Sequence, residues 1–160
     1  MTPAVVEAKR HGVAVEIHEY VHDPRAPSYG EEAAEKLGVD VTAVFKTLVV
    51  QTESKSLAVG LVPVMKELDL KAMASALGVK KVQMADKDKV QRTTGYVIGG
   101  VSPLGQKKKL ETVLDQSAEL LQKLYVSGGR RGLEIALEPG QLVSLCKGKY
   151  AAIARSAKSA

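Results

Sequence analysis

The sequence predicts an α/β protein of the α+β type, with a mixed, largely antiparallel sheet flanked by helices. Three observations predict it. Amphipathic helical segments and β-rich runs are both present, but they do not alternate regularly. Hairpin-like strand pairs dominate the second half of the chain, unlike the strand–helix crossovers of a doubly wound parallel sheet. The 160 residues are 45% hydrophobic, enough for one core, and contain neither an internal repeat nor a linker. A single domain over residues 1–160 is the expected organisation.

Thr2 can cap a first helix, with Pro3 at its first position and Gly12 ending it. Val13 to Tyr20 alternates as a strand, with Val13, Val15 and Ile17 on one face. His22 to Pro27 is a loop stiffened by Pro24 and Pro27. Ser28 to Leu37 reads as a helix with Glu31 and Glu32 in its first turn and Gly38 after its end. Phe45–Val50 and Leu57–Pro63 form a hairpin across the polar link Gln51–Ser56. Asp69 caps a helix over Leu70–Leu77, closed by Gly78. Lys81–Met84 is a short strand, and Asp86–Thr94 a short helix stopped by Gly95. Tyr96 to Gly105 is a bent strand-to-loop segment. Leu110–Leu114, Lys123–Val126 and Leu133–Leu137 are strands, Pro139–Leu145 a helix, and Tyr150–Ile153 a last strand before an Ala/Ser/Lys tail.

Composition bounds the function. Tryptophan is absent and Phe45 is the one phenylalanine, so the core is aliphatic. The single cysteine, Cys146, excludes an internal disulfide and a Cys-rich zinc site. No apolar run follows Met1, so neither a signal peptide nor a membrane span is expected. These features point to a reducing, cytoplasmic setting and no membrane partner. The net charge of +5 is compatible with an acidic partner such as nucleic acid. The charges cluster in two blocks after glycine-containing turns, Lys107-Lys108-Lys109 and Arg130-Arg131. They are either solvated loop ends or a phosphate-facing rim.

No GxxxxGK[ST] phosphate loop, HExxH metal motif or GxSxG nucleophile elbow occurs. His18 and His22 flank Tyr20, but no carboxylate cluster completes a metal site with them or with His11. No metal or other cofactor is expected. Cys146 has no evident histidine partner and reads as a small buried hydrophobe. Lys46 stands out because it interrupts the apolar run Val44 to Val50, on one face with Leu48 and Val50. It is either a solvated strand start or an ammonium facing a cleft, where it could bind a phosphate or carbonyl oxygen. Gly99-Gly100-Val101-Ser102-Pro103 is either a tight turn or a loop whose N–H groups face an oxyanion. Ser127-Gly128-Gly129 repeats the theme, with Ser127 as a donor but no neighbouring base to make it a nucleophile.

Phe45-Lys46-Thr47-Leu48-Val49, the run Gly99 to Lys108 and the run Tyr125 to Ile135 resemble the YbaK-like proteins. These are free-standing relatives of the editing domain inserted in bacterial prolyl-tRNA synthetases. Met1-Thr2-Pro3-Ala4, His22-Asp23-Pro24 and Met84-Ala85-Asp86 extend the resemblance over nearly the whole chain. The resemblance implies a partly curled mixed sheet and a trans-editing aminoacyl-tRNA deacylase that removes cysteine from tRNA for proline, and also acts on cysteinyl-tRNA for cysteine. It places the family lysine on Lys46, the GxxxP loop on Gly99 to Pro103, and pocket aromatics on Tyr20 and Tyr29. Thr47, Ser127 and Gly128 join the implied substrate site, and Lys107, Lys108, Lys109, Arg130 and Arg131 the tRNA surface. Glu134 stands where an aspartate is expected and receives no role.

In the implied mechanism the substrate's own thiol attacks its ester carbonyl, giving a cyclic thiolactone and free tRNA. Lys46 holds oxygens of the terminal adenosine, and the N–H groups of Gly100 and Val101 support the oxyanion. The implied partners are the acceptor end of aminoacyl-tRNA and a prolyl-tRNA or other synthetase. Three alternatives stay open: a positioned water on the same fold acting on another amino acid such as alanine, a non-catalytic basic RNA-binding module, and an adaptor for a synthetase. The six aromatic residues lie scattered, without the paired cluster of an RNA-stacking platform.

Overall fold

The computed structural model describes residues 1–26 and 28–157. The expectations for Pro27 and for the last three tail residues lie outside the described residues. Helix α1 covers Pro3–Arg10, α2 Tyr29–Leu37, α3 Leu70–Leu77, α4 Lys87–Thr94 and α5 Pro139–Cys146. The strands are β1 Glu16–Glu19, β2 Phe45–Thr52, β3 Leu57–Pro63, β4 Lys66–Leu68, β5 Val82–Met84, β6 Glu111–Asp115, β7 Leu124–Arg130, β8 Leu133–Leu137, β9 Lys149–Ala151 and β10 Ala154–Ser156.

Helix ends follow local chemistry. Thr2, Ser28, Asp69 and Asp86 accept hydrogen bonds from the exposed N–H groups of α1, α2, α3 and α4, each cap contributing about 1 kcal/mol. Gly38, Gly78 and Gly95 close α2, α3 and α4 in the left-handed conformation. Ser28 and Asp86 are therefore caps and not, as read from sequence, the first helical residues.

Five strands form one sheet in the order β5-β2-β3-β6-β9, and a three-stranded sheet runs β1-β8-β7. β10 and β4 pair as a separate ribbon. Most pairs are antiparallel, but β3–β6 and β6–β9 are parallel. The two larger sheets are joined in pairing by one parallel bridge, Val44 to Tyr125, so the whole bends without closing.

Several expectations shift here. β1 is shorter than Val13–Tyr20: Val13 instead donates to Ala8 at the end of α1, and Ile17 is 46% exposed. Tyr96 to Gly105 contains no strand. β7 continues through Ser127-Gly128-Gly129 to Arg130 with a register shift, so the second glycine pair is a strand irregularity and not a loop. The expected last strand is two, β9 and β10. Asp115, itself buried, accepts from the N–H groups of Ile153 and Ala154 between them at 3.0 and 2.9 Å.

The core is aliphatic, as its composition requires. On one side of the large sheet Phe45, Val49, Leu61 and Leu114 pack with β7, β8, α1 and α5. On the other, Val50, Val62 and Val113 pack under α3. A smaller cluster joins Val44, Val64 and Tyr125 under α2. Lys46 shares its face of β2 with Val44 and Val50 and falls between the last two clusters.

Candidate active site

Beyond the Val44–Tyr125 bridge β2 and β7 form no further pairs, and a cavity of about 400 Å3 lies there. Clefts where a sheet splits are common ligand sites. Phe45 to Val49 of β2, Tyr20, Tyr29 and Ser127 line it, with Ile98, Gly99 and Val101 from the loop after α4 and Arg130, Arg131 and Glu134 from β7 and β8. Nine residues expected at the substrate or tRNA site thus meet: Tyr20, Tyr29, Lys46, Thr47, Gly99, Val101, Ser127, Arg130 and Arg131.

Lys46 is half-buried. Burial pushes its ammonium below the ordinary lysine range, while the carboxylates of Glu67 and Glu31 oppose the shift. The side chain makes no ion pair among the described residues, so its charge faces the cavity ready for an oxygen ligand. Tyr20 sits where β1 ends, its N–H donating to Gly132 C=O at 2.9 Å. Burial, with the charges of Glu134 and Glu32, pushes its phenol up to about 12, which keeps it a neutral donor.

Glu134 is the residue the sequence reading left without a role. Its strand β8 lies between β1 and β7, where it pairs with His18 on one side and Ser127 on the other. Only 7% exposed, it faces the cavity, and burial raises its carboxyl to about 8. The signal was of the same kind as for Lys46: one charge inside the apolar run Leu133 to Leu137.

The mouth is braced by a chain of contacts. Glu32 on α2 is buried and accepts from Asp23 N–H at 2.7 Å, with His22 Nδ1 at 2.7 Å and Lys36 Nζ at 3.2 Å. Burial acts to raise its carboxyl, but these three donors outweigh it and hold the group below its usual range. His22 meets the Tyr29 ring edge-on at 5.5 Å, and the Arg131 guanidinium lies 4.0 Å from the centre of the Tyr29 ring. Arg131 in turn donates to Ile98 C=O at 3.2 Å. Gly99, at φ 91°, is needed under this stack, because a Cβ there would lie 2.6 Å from Arg131 Nε and 2.7 Å from Tyr29.

Four residues expected at the catalytic or substrate site do not face the cavity, nor do the three lysines of the expected tRNA surface. Gly100 donates its N–H to Val97 C=O at 2.9 Å, closing the turn, so this N–H is engaged and does not serve an oxyanion. The Val101 N–H meets no acceptor among the described residues, as is also true of the Gly99 and Ser102 N–H groups. Ser102 is fully buried, its Oγ accepting from Leu104 N–H at 3.3 Å. Pro103 lines a different cleft, with α1 and Cys146. Gly128 packs against Leu133 and Ile135, and its C=O accepts from the Thr2 hydroxyl.

The basic blocks flank one loop. Lys107 and Lys108 donate main-chain N–H groups to Thr94 and Thr93 at the end of α4, at 2.9 and 3.2 Å. Arg130 packs against Gly100 and Arg131 against Gly99, on the cavity side. Cys146 is 6% exposed and burial raises its thiol. It belongs to the cleft of Pro103, away from Lys46 and Val101.

The sheet split, the half-buried lysine and the glycine loop define the class. The profile described as the aminoacyl-tRNA editing domain matches residues 23–145, and the chain belongs to that family. Among its relatives is the Enterococcus faecalis protein EbsC, provisionally named a Cys-tRNA(Pro)/Cys-tRNA(Cys) deacylase. It is 38% identical over 152 residues, 95% of this chain and 92% of EbsC. A proline–tRNA ligase of Trichlorobacter lovleyi is 31% identical over 106 residues, 66% of this chain but 18% of the ligase. The crystal structure of a protein provisionally named a trans-editing enzyme for prolyl-tRNA synthetase superposes with a TM-score of 0.84. It is 24% identical and covers 98% of this chain and 99% of its own, which shows the shared fold.

Proposed function

We propose that the chain is a single-domain, cytoplasmic trans-editing deacylase that removes cysteine from mischarged tRNA for proline, and from cysteinyl-tRNA for cysteine. One observation supports the reading: Lys46, an ammonium without an ion pair among the described residues, and Val101, whose loop N–H has no acceptor among them, line one cavity, in a chain 38% identical to EbsC over 95% of its length. Neither group is a nucleophile, and among the described residues no histidine lines the cavity beside Ser127 to make one.

In this reading the nucleophile comes from the substrate. The cysteine sulfur attacks the ester carbonyl carbon, the carbonyl oxygen takes the charge, and the carbon–oxygen bond to the ribose breaks. The thiol proton ends on the ribose oxygen, leaving a thiolactone and free tRNA. The cavity bends the aminoacyl group so that sulfur and carbon meet. Val101 N–H donates to the oxyanion and Lys46 holds oxygens of the terminal adenosine. Arg130, Arg131 and the lysine block carry the acceptor-end phosphates, and a prolyl-tRNA or other synthetase is the partner that delivers the tRNA.

The test is deacylation of a panel of mischarged tRNAs by the purified chain. Cysteinyl-tRNA is cleaved rapidly, seryl-tRNA slowly and alanyl-tRNA poorly, because a hydroxyl forms an anion far less readily than a thiol near neutral pH. Equal cleavage of alanyl- and cysteinyl-tRNA overturns thiol attack in favour of a positioned water.

A further inference from the structure

Five consecutive residues of β2, Phe45 to Val49, line the cavity. Successive side chains of a strand point to opposite faces, so a cavity that touches all five runs along the strand's edge. The register explains why that edge is open. Val44 C=O accepts from Val64 N–H, and Thr52 N–H donates to Ser56 C=O. Even-numbered residues of β2 therefore direct their main-chain groups at β3, and odd-numbered residues direct theirs at the other edge. On that edge Val49 C=O accepts from Ala85 N–H at 3.0 Å and Gln51 pairs with β5. At the opposite end strand pairing with β7 stops at the Val44–Tyr125 bridge.

Thr47 falls in the gap. Its main-chain N–H and C=O point away from β3, and among the described residues neither β5 nor β7 pairs with it. Its Oγ1 is buried and also without a hydrogen bond. Three unpartnered groups on one residue beside a largely apolar cavity are unusual, since a buried polar group left unpaired costs about 1–3 kcal/mol.

We propose that Thr47 reads the amino-acid part of the substrate by taking it as one added residue of antiparallel strand. The substrate's α-amino group donates to Thr47 C=O, and its ester carbonyl accepts from Thr47 N–H. These are the two bonds exchanged by a hydrogen-bonded antiparallel pair, whose Cα atoms stand about 5.5 Å apart. Main-chain pairing of this kind supplies affinity, and neighbouring side chains supply selectivity. The substrate side chain then shares the face of Thr47, beside Oγ1 and between Phe45 and Val49. The ligand class is an α-amino acyl ester with a free amino group and a small side chain. The proposal rests on the deacylase reading and adds which residue measures the acyl group.

The probe is a non-hydrolysable adenosine carrying cysteine through a 3′-amide, with a matched analogue whose acyl group lacks the α-amino group. Amide hydrogen exchange is followed by NMR in the unmodified protein. Without ligand the Thr47 amide exchanges faster than that of Leu48, which pairs with Gly60. The cysteinyl analogue slows Thr47 exchange by about tenfold or more, and the deamino analogue binds about tenfold more weakly, equivalent to about 1.4 kcal/mol. Thr47→Pro removes the N–H at an unpaired edge, where proline is tolerated, and lowers affinity for the cysteinyl analogue. Binding of both analogues with equal affinity and unchanged Thr47 exchange overturns the role of Thr47 and leaves the deacylase reading standing. Absence of binding by either analogue, together with no deacylation of cysteinyl-tRNA, overturns the deacylase reading itself.

Discussion

Replacing Gly100 by alanine tests whether the glycine loop positions the site. An added Cβ at Gly100 would lie 2.8 Å from Arg130 Cα and 3.3 Å from its carbonyl carbon and nitrogen. These are main-chain atoms, so no side-chain rotation relieves the contact. Ordinary contact begins near 3.4 Å, so loop and strand must part by about 0.6 Å. Overpacking of this kind costs about 1–3 kcal/mol. For a chain of this size that is a fall in Tm of about 2–4 °C per kcal/mol. The displaced groups are the neighbours of Val101 and Arg131, and a shift approaching 1 Å at a reacting centre costs on the order of 100-fold in rate. The expected outcome is a fall in kcat/KM of about 10- to 100-fold for cysteinyl-tRNA, with the protein still folded. Gly140→Ala is the control, because a Cβ there meets nothing within 4 Å and the residue lies exposed in α5. That variant keeps its activity and gains about 0.5–1 kcal/mol. Full activity and an unchanged Tm for Gly100→Ala would refute the loop's positioning role.

Four further outcomes follow from the same geometry. Lys46→Ala lowers kcat/KM by the equivalent of about 2–4 kcal/mol of transition-state stabilisation while thermal melting is retained; wild-type kcat/KM removes Lys46 from the mechanism. Replacing Lys107, Lys108 and Lys109 by alanine reduces the log–log salt slope of tRNA affinity by about 0.7–0.9 per lost phosphate contact; an identical slope makes the block a solvated turn. Cys146→Ala keeps nearly full activity, because the thiol lies in another cleft; an inactive variant reinstates an enzyme nucleophile. Burial pushes the Glu134 carboxyl up to about 8 from its ordinary 4.5, so the folded state binds the proton more tightly. Its contribution to stability is present below about pH 4.5 and is lost as pH rises toward 8. Urea midpoints measured across that window should decline for the wild type and flatten for Glu134→Gln; parallel profiles for both would show that Glu134 does not hold its proton.

Some of the fold was legible because its cause is local. A cap acts on N–H groups two or three residues away, and a left-handed glycine ends the helix directly before it. Asp69, the helix Leu70–Leu77 and Gly78 were therefore read correctly from adjacent residues, as were β3 and β8 from their short apolar runs. Lys46 was legible for the same reason, since a charge inside an apolar strand contradicts its neighbours. Glu134 gave the same signal, but its meaning depended on what faced it.

Other features depend on residues far apart in the chain. Whether β2 and β7 stay paired or split past Val44 and Tyr125 is decided by how two sheets bend against each other, and the cavity exists only because they split. The short strand β4 found its partner β10 at the far end of the chain, and three-residue strands carry too little pattern to be read alone. The glycine motif did not reveal that Gly100 N–H turns back to Val97, that Ser102 points inward, or that Val101 N–H is left free. Residue types, caps, strand parity and the candidate lysine were determined by the sequence itself, because each depends on neighbours within one or two turns of chain. Which backbone groups remain unpaired, and what they face, was decided only in the tertiary structure, because hydrogen bonding across a sheet is settled by the register of strands that the sequence keeps apart.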